Sequence, residues 1–179
     1  MATHTVKLRF YEPSDATALF EAARESVREV HPWLAWCHPD YAVDEARTWI
    51  ASQVEARDKG EAYAFTIVGD SDRMLGGCGL NEIRRPHRCA NLGYWVRSSE
   101  TGRGVAWRAV RLLATWAFRD TDLERLEILA ATGNVRSQRV AEKAGAQREG
   151  TLRSRLLVHG EFQDAVVYSI VRSTWPVSR

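Results

Sequence analysis

The chain has 179 residues, 45% of them hydrophobic, and its 25 basic and 23 acidic side chains leave a formal net charge of +2. That is enough to fill one core, so a single domain over residues 1–179 is expected, and so even a charge balance excludes a general polyanion binder. No apolar run approaches bilayer-spanning length, residues 1–10 lack a secretory apolar core, and Cys37, Cys78 and Cys89 form no CxxC pair, so the expected setting is a reducing cytoplasm with no membrane or nucleic-acid partner.

Residues 6–10 alternate apolar and basic side chains as a half-buried strand does, and Pro13-Ser14-Asp15 is a helix-start signal. Ala16, Leu19, Phe20, Ala23, Val27 and Val30 then recur at helical spacing until His31-Pro32 breaks the pattern. A bend rich in aromatics and prolines, residues 32–39, leads to a second amphipathic helix carrying Val43, Ala46, Trp49, Ile50 and Val54. Residues 62–68, 74–83 and 89–96 read as three strands of an antiparallel meander. After Gly104, a long helix places Ala106, Ala109, Val110, Leu113, Trp116 and Ala117 on one face, with Arg108, Arg111 and Arg119 pointing away. Residues 126–131 form a buried strand, 134–144 a short helix ended by Gly145, and 151–158 and 162–171 two closing strands. This order predicts a mixed α/β sheet rather than a doubly wound one, with the ligand site in its loops.

The strand ending at Val96 is followed by Arg97-Ser98-Ser99-Glu100-Thr101-Gly102-Arg103-Gly104 and then by the long helix. Strand, glycine-rich turn and helix make an anion site, because glycines let the backbone approach a ligand and the free N–H groups of the first helical turn point at its oxygens. Two glycines alone also make an ordinary tight turn. The loop lacks the Gly-Lys-Ser/Thr ending of a Walker A loop and the GxGxxG of a dinucleotide site. Downstream, Asn134 is a favoured helix N-cap, with Ser137 on the first turn and Arg136, Arg139 and Lys143 on one helical face.

These two stretches resemble the signatures of the GNAT superfamily. Gly104 and Ala106 match the last two fixed positions of its acetyl-CoA motif, Gln/Arg-x-x-Gly-x-Gly/Ala, with Thr101 where Gln or Arg is usual. Residues 134–146 match its second signature, Asn-x-x-Ser-x-x-Val-x-x-Lys-x-Gly-Phe/Ala. Leu8-Arg9, the aromatic bend, Leu92-Gly93-Tyr94-Trp95 and the 160–164 hairpin extend the likeness over nearly the whole chain, toward the RimJ/RimL-like branch.

The resemblance implies a three-layer α/β (α+β) fold, with a mostly antiparallel sheet of about seven strands flanked by about four helices. It implies acetyl-CoA as cosubstrate, with no metal, held by Val96, Arg97, Gly102, Arg103, Gly104, Val105, Ala106, Asn134, Ser137 and Arg139. It also implies direct transfer, in a ternary complex, to the amine of a protein N-terminus or a small molecule, and a homodimer.

Ser137 then stands near the thioester, where it protonates the departing sulfur or merely caps its helix. An N–H of a bulged strand near Val96 serves the developing oxyanion. The position where many members carry a basic Glu is Asn91, so Glu82 and Glu161 are the candidate bases. Trp33, Trp36 and Tyr94 are the candidate acceptor wall, the two tryptophans having packing between the first two helices as the alternative. Gly104→Val is expected to weaken CoA binding with little loss of folded protein. The rival readings are a catalytically idle acyl-CoA-binding module and, from Arg84-Arg85-Pro86-His87-Arg88, a polynucleotide binder. His31, Cys37 and His38 lack a fourth ligand at metal spacing.

Overall fold

A computed structural model describes residues 5–176. Strand β1 (Lys7–Phe10) turns through a 3-10 segment, Pro13–Asp15, into helix α1 (Ala16–Val30). Buried Asp15 fixes that corner: its carboxylate accepts the Glu12 N–H at 2.8 Å and pairs with Arg9 Nη1 at 2.7 Å. Helix α2 (Val43–Asp58) begins where the Glu45 carboxylate accepts the Ala42 N–H at 2.9 Å. Strands β2 (Tyr63–Val68), β3 (Met74–Arg84) and β4 (Cys89–Val96) form the expected meander. Helix α3 (Val105–Asp120), strand β5 (Arg125–Ala131), helix α4 (Val135–Ala144) and strands β6 (Gln147–Val158) and β7 (Glu161–Val171) complete the order.

The seven strands lie in the order β1-β2-β3-β4-β5-β7-β6, all neighbours antiparallel except β4 and β5. Two clusters of buried side chains divide the helices: Leu19, Ala22, Ala23 and Ile50 of α1 and α2 form one, and Val110, Leu113, Ala141 and Ala144 of α3 and α4 belong to the other. The period of two along β4 sends Ala90, Leu92, Tyr94 and Val96 toward α3 and α4, and Trp95 toward α1 and α2.

Three local features position the site. The parallel pairing of β4 with β5 runs only from Cys89↔Arg125 to Asn91↔Glu127, beyond which the strands part. The β3–β4 register is unbroken from Gly76↔Val96 to Asn81↔Asn91, so the bulge expected near Val96 is absent and the parting of β4 from β5 takes its place. Bulges occur instead in β3, where Glu82 has φ 48, and in β6, where Ser154 has φ 49 and donates its N–H to Asp164 Oδ1 at 2.8 Å.

Two further expectations are corrected. Strand β6 begins at Gln147, ahead of the expected 151, because a register slip between Arg148 and Gly150 hides the alternation. Arg111 does not point away from the fold: it donates to the Ala144 carbonyl at 3.2 Å and covers the Trp175 ring at 5.0 Å, joining α3 to the end of α4.

Candidate active site

Where β4 and β5 part, a groove of about 1270 Å³ opens, lined by the outer half of β4, the first turns of α3 and α4, the 32–36 bend and residues 155–158 of β6. At one end lies the glycine loop. Gly102 and Gly104 both have φ 77, the left-handed region glycine enters freely, and the loop turns into α3 through them. Among the described residues, no backbone N–H from Gly102 to Trp107 has a hydrogen-bond partner. The Trp107 indole Nε1 is buried and also lacks a partner. Six successive free amides at the positive end of a helix suit a diphosphate, and Arg139 and Lys143 line the same groove.

Beneath the loop, the buried Glu100 carboxylate holds Arg73 Nη1 at 2.9 Å and Arg103 Nη1 at 3.3 Å. From the other side, the Glu25 carboxylate accepts the Ser99 N–H at 2.8 Å and Arg97 Nε at 2.5 Å, and buried Ser26 Oγ accepts the Ser98 N–H at 3.0 Å. The loop is thus clamped between α1 and its own ion pairs.

The second half-site lies across the gap. Asn134 caps α4 through the Ser137 N–H at 3.1 Å. The Tyr94 hydroxyl lies 2.9 Å from the Ser137 carbonyl oxygen and 2.9 Å from its Oγ. Burial pushes the Tyr94 phenol up to about 12, against the opposing hydrogen bond from Ser137, so it keeps its proton.

At the far end, Trp36 sets its edge on Tyr41 and Trp95, with ring centroids 5.5 and 5.3 Å away, and Trp33 lies over Gly133. The β6–β7 hairpin reaches this bend, with His159 Nε2 2.8 Å from the His31 carbonyl oxygen. Asn91 Nδ2 donates to Asn81 Oδ1 at 2.8 Å. Glu82 lines the groove, its Oε2 3.5 Å from Arg155 Nη2.

A family model described as an acetyltransferase (GNAT) domain matches residues 5–147. This chain belongs to the GNAT acetyltransferase family.

The GNAT relatives include YdaF of Bacillus subtilis (strain 168), 30% identical over 95% of this chain and 93% of its own length. The ribosomal-protein-serine acetyltransferase of Escherichia coli (strain K12) is 25% identical over 76% of this chain and 75% of its own. Among solved GNAT structures, Mycobacterium smegmatis RimJ in complex with CoA-disulfide superposes with a TM-score of 0.88 at 25% identity, covering 97% of this chain and 85% of that one. RimL, a ribosomal L7/L12 alpha-N-protein acetyltransferase in complex with coenzyme A, shares the fold with a TM-score of 0.86 at 23% identity, covering 93% and 94%. The protein is therefore an acetyl-CoA-dependent N-acetyltransferase that transfers acetyl to an amine. Nothing in these comparisons supports the idle-module reading.

The expected GNAT site residues divide by position. Val96, Gly102, Gly104, Val105, Ala106, Asn134, Ser137, Arg139, Trp33, Trp36, Tyr94 and Glu82 all line the groove. Arg97, Arg103 and Glu161 do not line it. Arg97 is spent on Glu25, with its N–H on the Leu75 carbonyl at 2.8 Å; Arg103 turns to Glu100; Glu161 is exposed on the β6–β7 hairpin. A Cβ on Gly104 would stand 2.7 Å from Trp107 Nε1, so Gly104→Val crowds the folded loop itself and does not spare folding as expected.

Glu100, Trp107 and Arg155 escaped the sequence reading. Trp107, three residues after Gly104, had a readable signal; Glu100 and Arg155 had none, being defined by tertiary contacts. Arg84 pairs with Glu127, Arg85 bonds the Lys59 carbonyl at 2.9 Å and Arg88 faces Asp122, so this arginine cluster is engaged within the fold. Among the described residues, no group of three or more His, Cys, Asp or Glu could hold a metal ion.

Proposed function

We propose that this GNAT enzyme acts as a single cytoplasmic domain, in a homodimer, to acetylate the N-terminal amine of a protein. The observation that carries this is the groove's form: free amides at one end, and at the other a solvent-open mouth with two indoles and a carboxylate. The names of the Escherichia coli relatives, a ribosomal-protein-serine acetyltransferase and a [ribosomal protein uS5]-alanine N-acetyltransferase, point the same way.

In this reading acetyl-CoA supplies an activated acyl carbon as a thioester. The amides from Gly102 to Trp107 bind the diphosphate, with Arg139 and Lys143 meeting further phosphate charge. Asn134, its carbonyl occupied by the cap, offers Nδ2 to the donor's arm. Glu82 removes a proton from the incoming amine, whose lone pair then forms the C–N bond as the C–S bond breaks. Ser137 Oγ gives its proton to the sulfur. Tyr94, within reach of both Ser137 oxygens, shifts its own proton from the carbonyl to Oγ, and solvent restores it and accepts the amide nitrogen's surplus proton.

The test is acetylation of peptides with free N-termini, followed by intact-mass analysis, against the same peptides blocked at the N-terminus and against small amines. Mass gain confined to free N-termini is expected. Turnover of small amines alone overturns the reading, and sedimentation checks the homodimer.

A further inference from the structure

Glu82 and Arg155 belong to strands separated in the sheet by β4, β5 and β7, yet their charged ends stand 3.5 Å apart in the groove. Each is delivered by a bulge. Glu82 itself has φ 48, and Ser154, just before Arg155, has φ 49 with its N–H anchored on Asp164. Side chains other than glycine rarely adopt this conformation, and strained backbone of this kind gathers at binding sites.

The contact itself does not account for that strain. The two side chains are 60% and 40% exposed, and neither has another ion-pair or hydrogen-bond partner among the described residues. An exposed pair at that separation adds little stability. The arrangement instead presents opposite charges side by side at the mouth where the acceptor enters.

We propose that Glu82 and Arg155 read charge in the acceptor, selecting amines that lie beside an anionic group, in particular N-termini whose second residue is acidic. This rests on the reading of the groove mouth as an N-terminal amine site. When the acceptor's ammonium takes Glu82, Arg155 loses its partner and pairs with the acceptor's carboxylate. A second cation in the acceptor would face Arg155 instead, which disfavours basic N-termini and polyamines.

The experiment measures kcat/KM for peptides identical except for Asp, Asn or Lys as second residue. Wild type is expected to favour Asp over Lys by about tenfold, with Asn between and the preference shrinking as salt rises. Arg155→Ala should bring the ratio to about one, Arg155→Lys should keep it, and Arg155→Glu should invert it, all with unchanged CoA affinity by calorimetry as the check on folding. A wild-type ratio near one, or a ratio that Arg155→Glu leaves in place, overturns the proposal while the N-terminal reading stands. If wild type acetylates small amines and no peptide, the N-terminal reading falls and this proposal with it.

Discussion

The Tyr94 hydroxyl lies 2.9 Å from both the carbonyl oxygen and Oγ of Ser137, tying the outer half of β4 to the first turn of α4 across the gap between β4 and β5. Tyr94→Phe keeps the ring and removes only this tie. Its kcat is expected to fall about tenfold, and that of Ser137→Ala about a hundredfold, while acetyl-CoA affinity changes little in either. Single-turnover rates with calorimetric affinities check this. Equal losses in kcat and donor affinity would make both residues part of donor binding alone.

Glycine is required at 104 for two reasons and at 102 for one. Both have φ 77, but only at Gly104 would a Cβ meet a neighbour, Trp107 Nε1 at 2.7 Å. Gly102→Ala should therefore destabilise by about 1 kcal/mol and Gly104→Ala by more, about 2 kcal/mol. The excess should shrink in a Trp107→Ala background, as urea unfolding of the four proteins of that cycle would reveal. Equal cost in both backgrounds would assign the effect to backbone conformation alone.

Glu100 is a buried carboxylate facing two half-exposed arginines, Arg73 and Arg103. Glu100→Gln leaves both guanidinium groups without their charge partner and loosens the turn that presents Gly102 and Gly104. A loss of about 1–3 kcal/mol in stability is expected, with weaker CoA binding and a smaller effect on the acceptor's KM. Thermal melts and separate titrations of donor and acceptor distinguish these effects.

Two carboxylates make the fold's stability depend on acid pH. Burial disfavours the charged form of Glu25, but hydrogen bonds from Ser99 and Arg97 outweigh it and hold its carboxyl at about 2. Hydrogen bonds from Arg125 and Ser169 bring Glu149 to about 2 as well. Both are depressed from the ordinary 4.5, so the stability they contribute is present above that value and drains away as pH falls from 4.5 toward about 2. Melting temperatures across that window should fall for wild type and fall less steeply for Glu25→Gln, which starts lower at neutral pH. Parallel curves would exclude Glu25 from the transition.

Much of the fold was legible because its punctuation is local. Pro13 and Asp15 open the first helix, Asn134 and Gly145 bound the fourth, and apolar periodicity carries the rest. The glycine turn was legible for the same reason: two glycines before a helix state their geometry in sequence. The far end of the groove was not. Its bulges fall on Glu82 and Ser154, side chains that give no sign of left-handed backbone, so the convergence of Glu82 and Arg155 emerges only once β6 and β3 are placed. The Ser137–Tyr94 partnership was hidden likewise, since it depends on which face of β4 meets α4.

The brief pairing of β4 with β5 leaves the sheet with an edge in its own middle. A strand edge at a sheet's border invites any flat partner, including another copy of the chain, and proteins usually blunt it. Here the side of β4 that faces β5, from Leu92 to Val96, has no strand partner and is set into the groove between the 32–36 bend and the first turns of α3 and α4, while its other side stays paired with β3. A narrow, extended chain with amides of its own suits such a seam, and a broad sheet does not.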